Sequence, residues 1–321
     1  MKTSMNRTAK PSDKPLQGTT SKGWQQVRAW YWASRPFSLT AAVAPILVGS
    51  ALAFREKQAN LEIFILVLVA SILVQVASNL VDEYYDHTTT NSENKVLAPY
   101  KVIASGALSS KEVKSGAIFC FGIAGLIGLY LVLITGWPLL IVCFLSAAAA
   151  YCYAAGPRPL GNIGLGHPLV FIFMGLVMVL GSCYVQSHVL TVNAFWLSIP
   201  IACSVTSILV ANDLRDLEED KATGKTTFIT LWGRGFGRWE WTLLITAEFA
   251  IVLALATIKE FGFVVLLPFL ALPLAVKALR MVWQGRERKD FVMALYLSSQ
   301  LHGCLGLLLA VGVGVGYFRP L

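Results

Sequence analysis

The sequence predicts an all-α polytopic membrane bundle of about nine transmembrane helices, with its functional end at the cytoplasmic face. Four observations carry this. Hydrophobic residues make up 56% of the 321 residues and charged residues 14%, with a mean hydropathy of +0.64, far from a soluble domain's balance. Uncharged runs recur at the length a helix needs to cross the hydrocarbon core, about 20 residues. The apolar positions do not alternate as a barrel wall requires, and lipid admits only helices or closed barrels. Finally, half of the 18 Asp and Glu residues gather in two short stretches, Asp82–Glu93 and Asp213–Asp220, each at the end of an apolar run.

Taken in order, residues 1–24 are polar and basic and read as a flexible cytoplasmic tail without the apolar core of a signal peptide. Residues 25–321 read as one membrane domain. Runs 37–54 and 63–81 give the first two spans. Residues 115–157 and 159–212 contain no Asp, Glu, Lys or Arg, and each holds two spans. The first pair is broken at Thr135-Gly136-Trp137-Pro138, the second around Ser187–Asn193. Three more spans fall near 240–258, 261–279 and 291–316.

This count puts every Lys and Arg except Arg55, Lys57, Lys259 and Arg319 on one side. The positive-inside rule makes that side cytoplasmic, with the N-terminus and both acid clusters, and places the C-terminus opposite. The net charge of +8 is then topological, and no compact basic domain is present to bind nucleic acid. The six cysteines all lie in apolar segments without a C-x-x-C pair and read as small buried hydrophobes.

In the first cluster, Asn79, Asp82 or Glu83, and Asp86 recur at helical spacing and share a face. In the second, Asn212, Asp213, Asp216 and Asp220 do the same. Carboxylates at membrane helix ends are costly unless water, a cation or a partner charge meets them. Hard oxygen ligands in this spacing suit Mg²⁺, which completes its shell with water and phosphate oxygens. The second cluster adds Arg215 and Lys225, and Lys101 follows the first; these bases suit phosphate oxygens that a metal leaves bare. The matched layout suggests an internal pseudo-repeat, each half ending an even-numbered span.

These residues resemble the UbiA superfamily of intramembrane aromatic prenyltransferases, and within it the 1,4-dihydroxy-2-naphthoate polyprenyltransferase branch. The resemblance rests on Asn79-Leu80-Val81-Asp82-Glu83-Tyr84-Tyr85-Asp86, on Asn212-Asp213-Leu214-Arg215-Asp216 with Asp220, Gly224-Lys225 and Thr227, and on stretches from Arg35-Pro36 to Gly49, Val102 to Gly106 and Gly156 to Gln186. It implies two Mg²⁺ held by Asn79, Asp82, Glu83, Asp86, Asn212, Asp213, Asp216 and Asp220. It implies a polyprenyl diphosphate donor bound with Lys101, Arg215 and Lys225, and a naphthoate acceptor prenylated with loss of CO2. Asp86, Asp216, Lys101 and Arg215 are the catalytic candidates.

Arg35 and Arg158 each read as substrate contacts or as snorkelling anchors. Tyr84, Tyr151, Tyr153 and Phe171 are candidates for the wall around an allylic cation, Tyr153 foremost. His87 reads as solvated or bonded to Asp86, and His188 and His302 lie away from the acids. The chain departs from the branch pattern at Asp82 and Glu83, where Asn and Asp are usual, at Thr88–Asn91, where Gly-x-Asp is usual, and at His167 and Leu176, where an acid and a Pro are common. Other acceptors (4-hydroxybenzoate, homogentisate, a chlorophyllide-type ring) stay open within the superfamily. Outside it, a cation-coupled transporter is the alternative, although its acids would sit near the membrane midplane.

Overall fold

A computed structural model describes residues 22–89, 100–154 and 159–316. Most of the expected tail, and Glu93, Arg158 and Arg319, lie outside the described residues. Every regular element among those described is helical: α1 (Lys22–Ala33), α2 (Thr40–Arg55), α3 (Leu61–Thr89), α4 (Ser110–Thr135), α5 (Trp137–Ala154), α6 (Gly166–Leu169), α7 (Met178–Ser187), α8 (Val192–Ala222), α9 (Phe228–Leu255), α10 (Leu272–Gln284) and α11 (Arg288–Val315). A π-helical segment, Val170–Val177, joins α6 to α7 as one span, and a 3-10 segment, Phe263–Ala271, leads into α10.

The breaks fall where the sequence places turn residues. Gly136, with φ 110°, ends α4, and α5 begins at once. Ser109 and Glu112 close a capping box at the start of α4, Thr191 caps α8, and Thr227 with Thr230 boxes α9. Residues 212–239, expected as a loop, are mostly helix. Asp213, Asp216 and Asp220 face inward, Glu218 is exposed, and the helix continues to Ala222, leaving five residues before α9.

Six helices among the described residues have the length and apolarity to cross a membrane, or seven when α1 and α2, bent by 54°, are joined as one span. The protein is an integral multi-pass membrane bundle. Of the nine expected spans, α5 is shorter than these, and α9 carries Arg238, Glu240 and Glu248 within its apolar run.

α8 and α11 form the centre, with Leu197, Ile201, Leu301, Leu305 and Leu309 inaccessible to solvent. Lipid supplies little hydrophobic drive for helix association, so close backbone packing over small residues must hold such a bundle. A Cβ on Gly312 of α11 would fall 2.6 Å from the Val264 carbonyl oxygen and 3.1 Å from Val265 Cα. We predict that Gly312→Val destabilises the protein by about 1–3 kcal/mol through overpacking. Gly122→Ala, whose Cβ meets nothing within 4 Å, serves as control. Thermal unfolding in detergent checks this, and equal melting of both variants would refute the close approach.

Candidate active site

A cavity of about 1310 Å³ opens between α2, α3, α4, α5, the α6–α7 span and α8. Its polar end gathers most of the residues singled out in the sequence: Asn79, Asp82 and Asp86 from α3; Asn212, Arg215, Asp216 and Asp220 from α8; and Arg35, Lys101, Tyr153 and Lys225 from the connecting segments and α5. The two acid faces therefore meet, as their matched spacing suggests.

Each carboxylate on this wall already has a base. Arg35 Nη1 lies 2.6 Å from Asp82 Oδ2, with its guanidinium 4.9 Å from the Tyr100 ring centroid. Lys101 donates to Asp86, and Arg215 donates to its neighbour Asp216. Arg288 of α11 spans two acids, with Nη2 2.9 Å from Asp216 Oδ1 and Nη1 3.1 Å from Glu219 Oε2. Lys225 Nζ sits 3.3 Å from Asp220 Oδ2, a buried oxygen without a hydrogen bond.

Local structure explains these positions. Arg35 occupies a left-handed conformation, φ 49°, before the Pro36–Ser38 turn. Asn79 fixes that turn by donating from Nδ2 to Ser34 O and to Ser38 Oγ, both at 2.9 Å. The turn at Lys101–Leu108 is closed by the Ala107 and Leu108 amides donating to Val102 O. Gly224, φ 73°, turns the chain so that the Thr226 amide donates to Asn162 O at 3.0 Å, pinning the Lys225 segment to the 160–162 turn.

Both loop lysines are held charged. Burial works against the Lys101 ammonium and Arg35 repels it, but Asp86 and Asp82 prevail and raise its pKa above the usual lysine value. Burial likewise opposes Lys225, and the Asp213 and Asp220 carboxylates outweigh it.

Two expected metal ligands are not on the cavity wall. Glu83, 1% exposed, turns away: its Oε1 accepts the Ile103 amide at 3.1 Å, and Oε2 lies 3.7 Å from Lys101 Nζ. Asp213, 3% exposed, meets His167 Nε2 at 3.2 Å, and His167 Nδ1 lies 2.7 Å from Glu240 Oε1. One residue step rotates a helix position by a quarter turn or more, so the neighbours of Asp82 and Asn212 point elsewhere. Among the described residues, no three His, Cys, Asp or Glu side chains converge as a metal cage.

Of the aromatic candidates, Tyr153 lines the cavity, its ring lying in a cradle where a Cβ on Gly161 would meet it at 3.1 Å. Tyr84, Tyr151 and Phe171 do not line it; Tyr85, Tyr100 and Phe173 do. His302 is fully buried among the bundle helices, away from the acids. The sequence reading missed Arg288, taken with its basic neighbours as a topological charge, and Tyr100, which adjoins Lys101 in sequence.

Fold and cavity thus define a membrane-embedded chamber with a charge-paired head and an apolar body. Residues 42–300 match the UbiA prenyltransferase family, and the chain belongs to it. It is a prenyl-transferring enzyme. It is 29% identical over 324 residues to the 1,4-dihydroxy-2-naphthoate octaprenyltransferase of Bacillus subtilis (strain 168), covering 98% of this chain and all of that one. It is 31% identical to the Escherichia coli (strain K12) protein of the same name, covering 92% and 97%. A UbiA homolog from Archaeoglobus fulgidus, solved bound to GPP and Mg²⁺, shares the fold with a TM-score of 0.62 at 12% identity, covering 88% of this chain and 100% of that one. Membership in an enzyme family decides against the transporter alternative.

Arg288 is the cross-link the site generates from outside both motifs. We predict that Arg288→Ala lowers kcat/KM about ten- to a hundredfold and that Arg288→Lys, which cannot hold two acids in bidentate fashion, falls between. Steady-state kinetics on purified variants test this, and unchanged kcat/KM in Arg288→Ala would remove it from the site.

Proposed function

We propose that this protein transfers a polyprenyl group from polyprenyl diphosphate to 1,4-dihydroxy-2-naphthoate, releasing diphosphate and CO2 and giving demethylmenaquinol, which dioxygen oxidises to demethylmenaquinone on exposure to air. The observation that carries the reading is the meeting of both acid faces with five bases at the head of one long cavity. The names and full-length coverage of the bacterial relatives support the acceptor.

The oxygen donors Asn79, Asp82, Asp86, Asn212, Asp216 and Asp220 on facing walls form a hard set that suits Mg²⁺. Bound there, Mg²⁺ would neutralise the charge that builds on the departing diphosphate. Lys101, Arg215, Arg35 and Lys225 bind the diphosphate by charge-assisted hydrogen bonds, exchanging their present carboxylate partners for phosphate oxygens. Ionisation of the allylic C–O bond leaves the electron pair on diphosphate. The cation is met by the ring of Tyr153, which lines the cavity. The naphthoate ring attacks it, and the C–C bond to the acceptor carboxylate breaks as CO2 leaves.

The same reading takes α5 and α9 as full spans, giving nine. It sets the acid end, the N-terminus and the 1–24 tail on the cytoplasmic side, and treats residues 25–321 as a single domain.

The test combines membranes carrying the protein, a polyprenyl diphosphate and 1,4-dihydroxy-2-naphthoate, with Mg²⁺ or with EDTA. Prenylated naphthoquinone and diphosphate are expected only with Mg²⁺. Asp86→Ala and Asp216→Ala should each lower the rate at least about a hundredfold, the loss of several kcal/mol of charge stabilisation. Prenylation of 4-hydroxybenzoate or homogentisate in place of the naphthoate would overturn the acceptor assignment.

A further inference from the structure

The outward face of α9 and α10 carries positive charge with no counterpart. No residue of either helix lines the cavity, so this face is separate from the site described above. On α10, Ala275, Ala278 and Val282 are buried, whereas Leu272, Val276, Lys277, Arg280 and Trp283 are exposed. On α9, Trp239 and Leu243 are 66% and 70% exposed. Lys277 and Arg280 stand one turn apart, and neither forms an ion pair among the described residues. α10 holds no acid. The two acids of α9 turn inward, Glu240 to His167 and Glu248 to full burial.

The depth of these cations matters. α10 ends at Gln284, beside the turn that leads to Arg288 at the charged head. Arg280 and Lys277 precede that end by about 6 and 10 Å along the helix. A charge inside the apolar layer is costly unless a partner meets it, and long basic side chains answer by extending toward the headgroups. Beside them Trp239 and Trp283 pack edge to face, with ring centroids 5.0 Å apart. Tryptophans of this kind sit at headgroup level. Their geometry is fixed from within the bundle. Trp283 Nε1 donates to Thr242 Oγ1 at 2.9 Å, and that hydroxyl donates to Arg238 O at 2.8 Å. Arg238 in turn closes the end of α10, donating to Val282 O at 2.9 Å and to Gly285 O at 2.7 Å.

We propose that this face binds an anionic phospholipid. Lys277 and Arg280 hold its phosphate, Trp239 and Trp283 brace the headgroup, and an acyl chain runs along Val276 and Leu272 toward the middle of the membrane. A lipid phosphodiester is the anion that reaches this depth with apolar chains attached. A free phosphate has nothing to set against the apolar strip. Two cations without an acid select a headgroup of net negative charge, because choline or ethanolamine would add a third cation beside them.

The experiment titrates the full-length protein in phosphatidylcholine mixed micelles with brominated phosphatidylglycerol or brominated phosphatidylcholine and reads quenching of tryptophan fluorescence. The parent should show a component that takes phosphatidylglycerol about tenfold more tightly, the scale expected of two basic residues at a membrane surface. Trp239→Phe with Trp283→Phe should remove that component. Lys277→Gln with Arg280→Gln should bring the two lipids to equal affinity, whereas Lys277→Arg with Arg280→Lys, which keeps both charges, should retain the preference. Lys259→Gln, an exposed lysine past the far end of α9, should also retain it. No preference in the parent, a preference untouched in the double Gln variant, or one lost equally in the charge-keeping variant overturns the proposal. Displacement of brominated phosphatidylglycerol by inorganic phosphate or by geranylgeranyl diphosphate also overturns it, giving the face to a soluble anion or to the prenyl donor.

Discussion

Charge pairing inside an apolar bundle is the constraint on which the rest of this structure depends. The cavity wall carries Asp82, Asp86, Asp216, Glu219 and Asp220 against Arg35, Lys101, Arg215, Lys225 and Arg288, five of each sign. An unpaired charge in such surroundings costs several kcal/mol, and a pair recovers that only with good geometry. Balance lets the bundle fold around its site with no ligand present. On the proposed reading it would also couple the two ligands. A diphosphate that drew the bases to itself would leave carboxylates bare for a cation, and either ligand alone would leave the head with an excess charge.

The scaffold serves this by bringing remote segments to one rim. α3 and α8 are the two rails, each carrying a run of oxygen donors on its inner face. The bases come mostly from elsewhere: Arg35 from the bend before α2, Lys101 and Lys225 from turns, and Arg288 from the first turn of α11. Acids on rigid helices and bases on shorter, less constrained segments make an arrangement in which the bases can move toward an anion while the acids hold station. The π-helical stretch Val170–Val177 lies in the cavity wall opposite α3, where it widens the helix next to the chamber.

The bundle was legible because lipid thickness fixes run length, so the breaks at Gly136 and between Ser187 and Val192 follow from turn residues alone. The two acid faces were legible because helical spacing puts Asn79, Asp82 and Asp86 in line. What spacing does not resolve is a step of one residue. Asp82 and Glu83 stand at i+3 and i+4 from Asn79, and both satisfy the same rule, yet only Asp82 faces the cavity. Arg288 was illegible for another reason. It reaches Asp216 across 72 residues, and nothing local distinguishes it from Arg286 or Lys289. The long α8 continuation to Ala222 was hidden because the apolar run ends at Asn212, although Asp216, Glu219 and Asp220 beyond it line an interior wall.

The acids that turned away point to a division of labour that the two motifs share. In the first, Asp82 faces the cavity while the adjacent Glu83 binds the Ile103 amide and so anchors the turn that presents Lys101. In the second, Asn212 faces the cavity while the adjacent Asp213 meets His167, which joins it to Glu240 on α9. In each case one residue of the pair contributes to the head and the next ties the rail to the segment beside it. The longer arm of Glu83 suits that outward task, because its carboxylate has to span from α3 to the backbone of a neighbouring turn. His167 suits it too: a second acid there would face Asp213 and Glu240 with like charge, whereas an imidazole bridges them. The departures at 83 and 167 therefore fall on residues that hold the site in place, whereas the one at Asp82 keeps an oxygen donor on the wall.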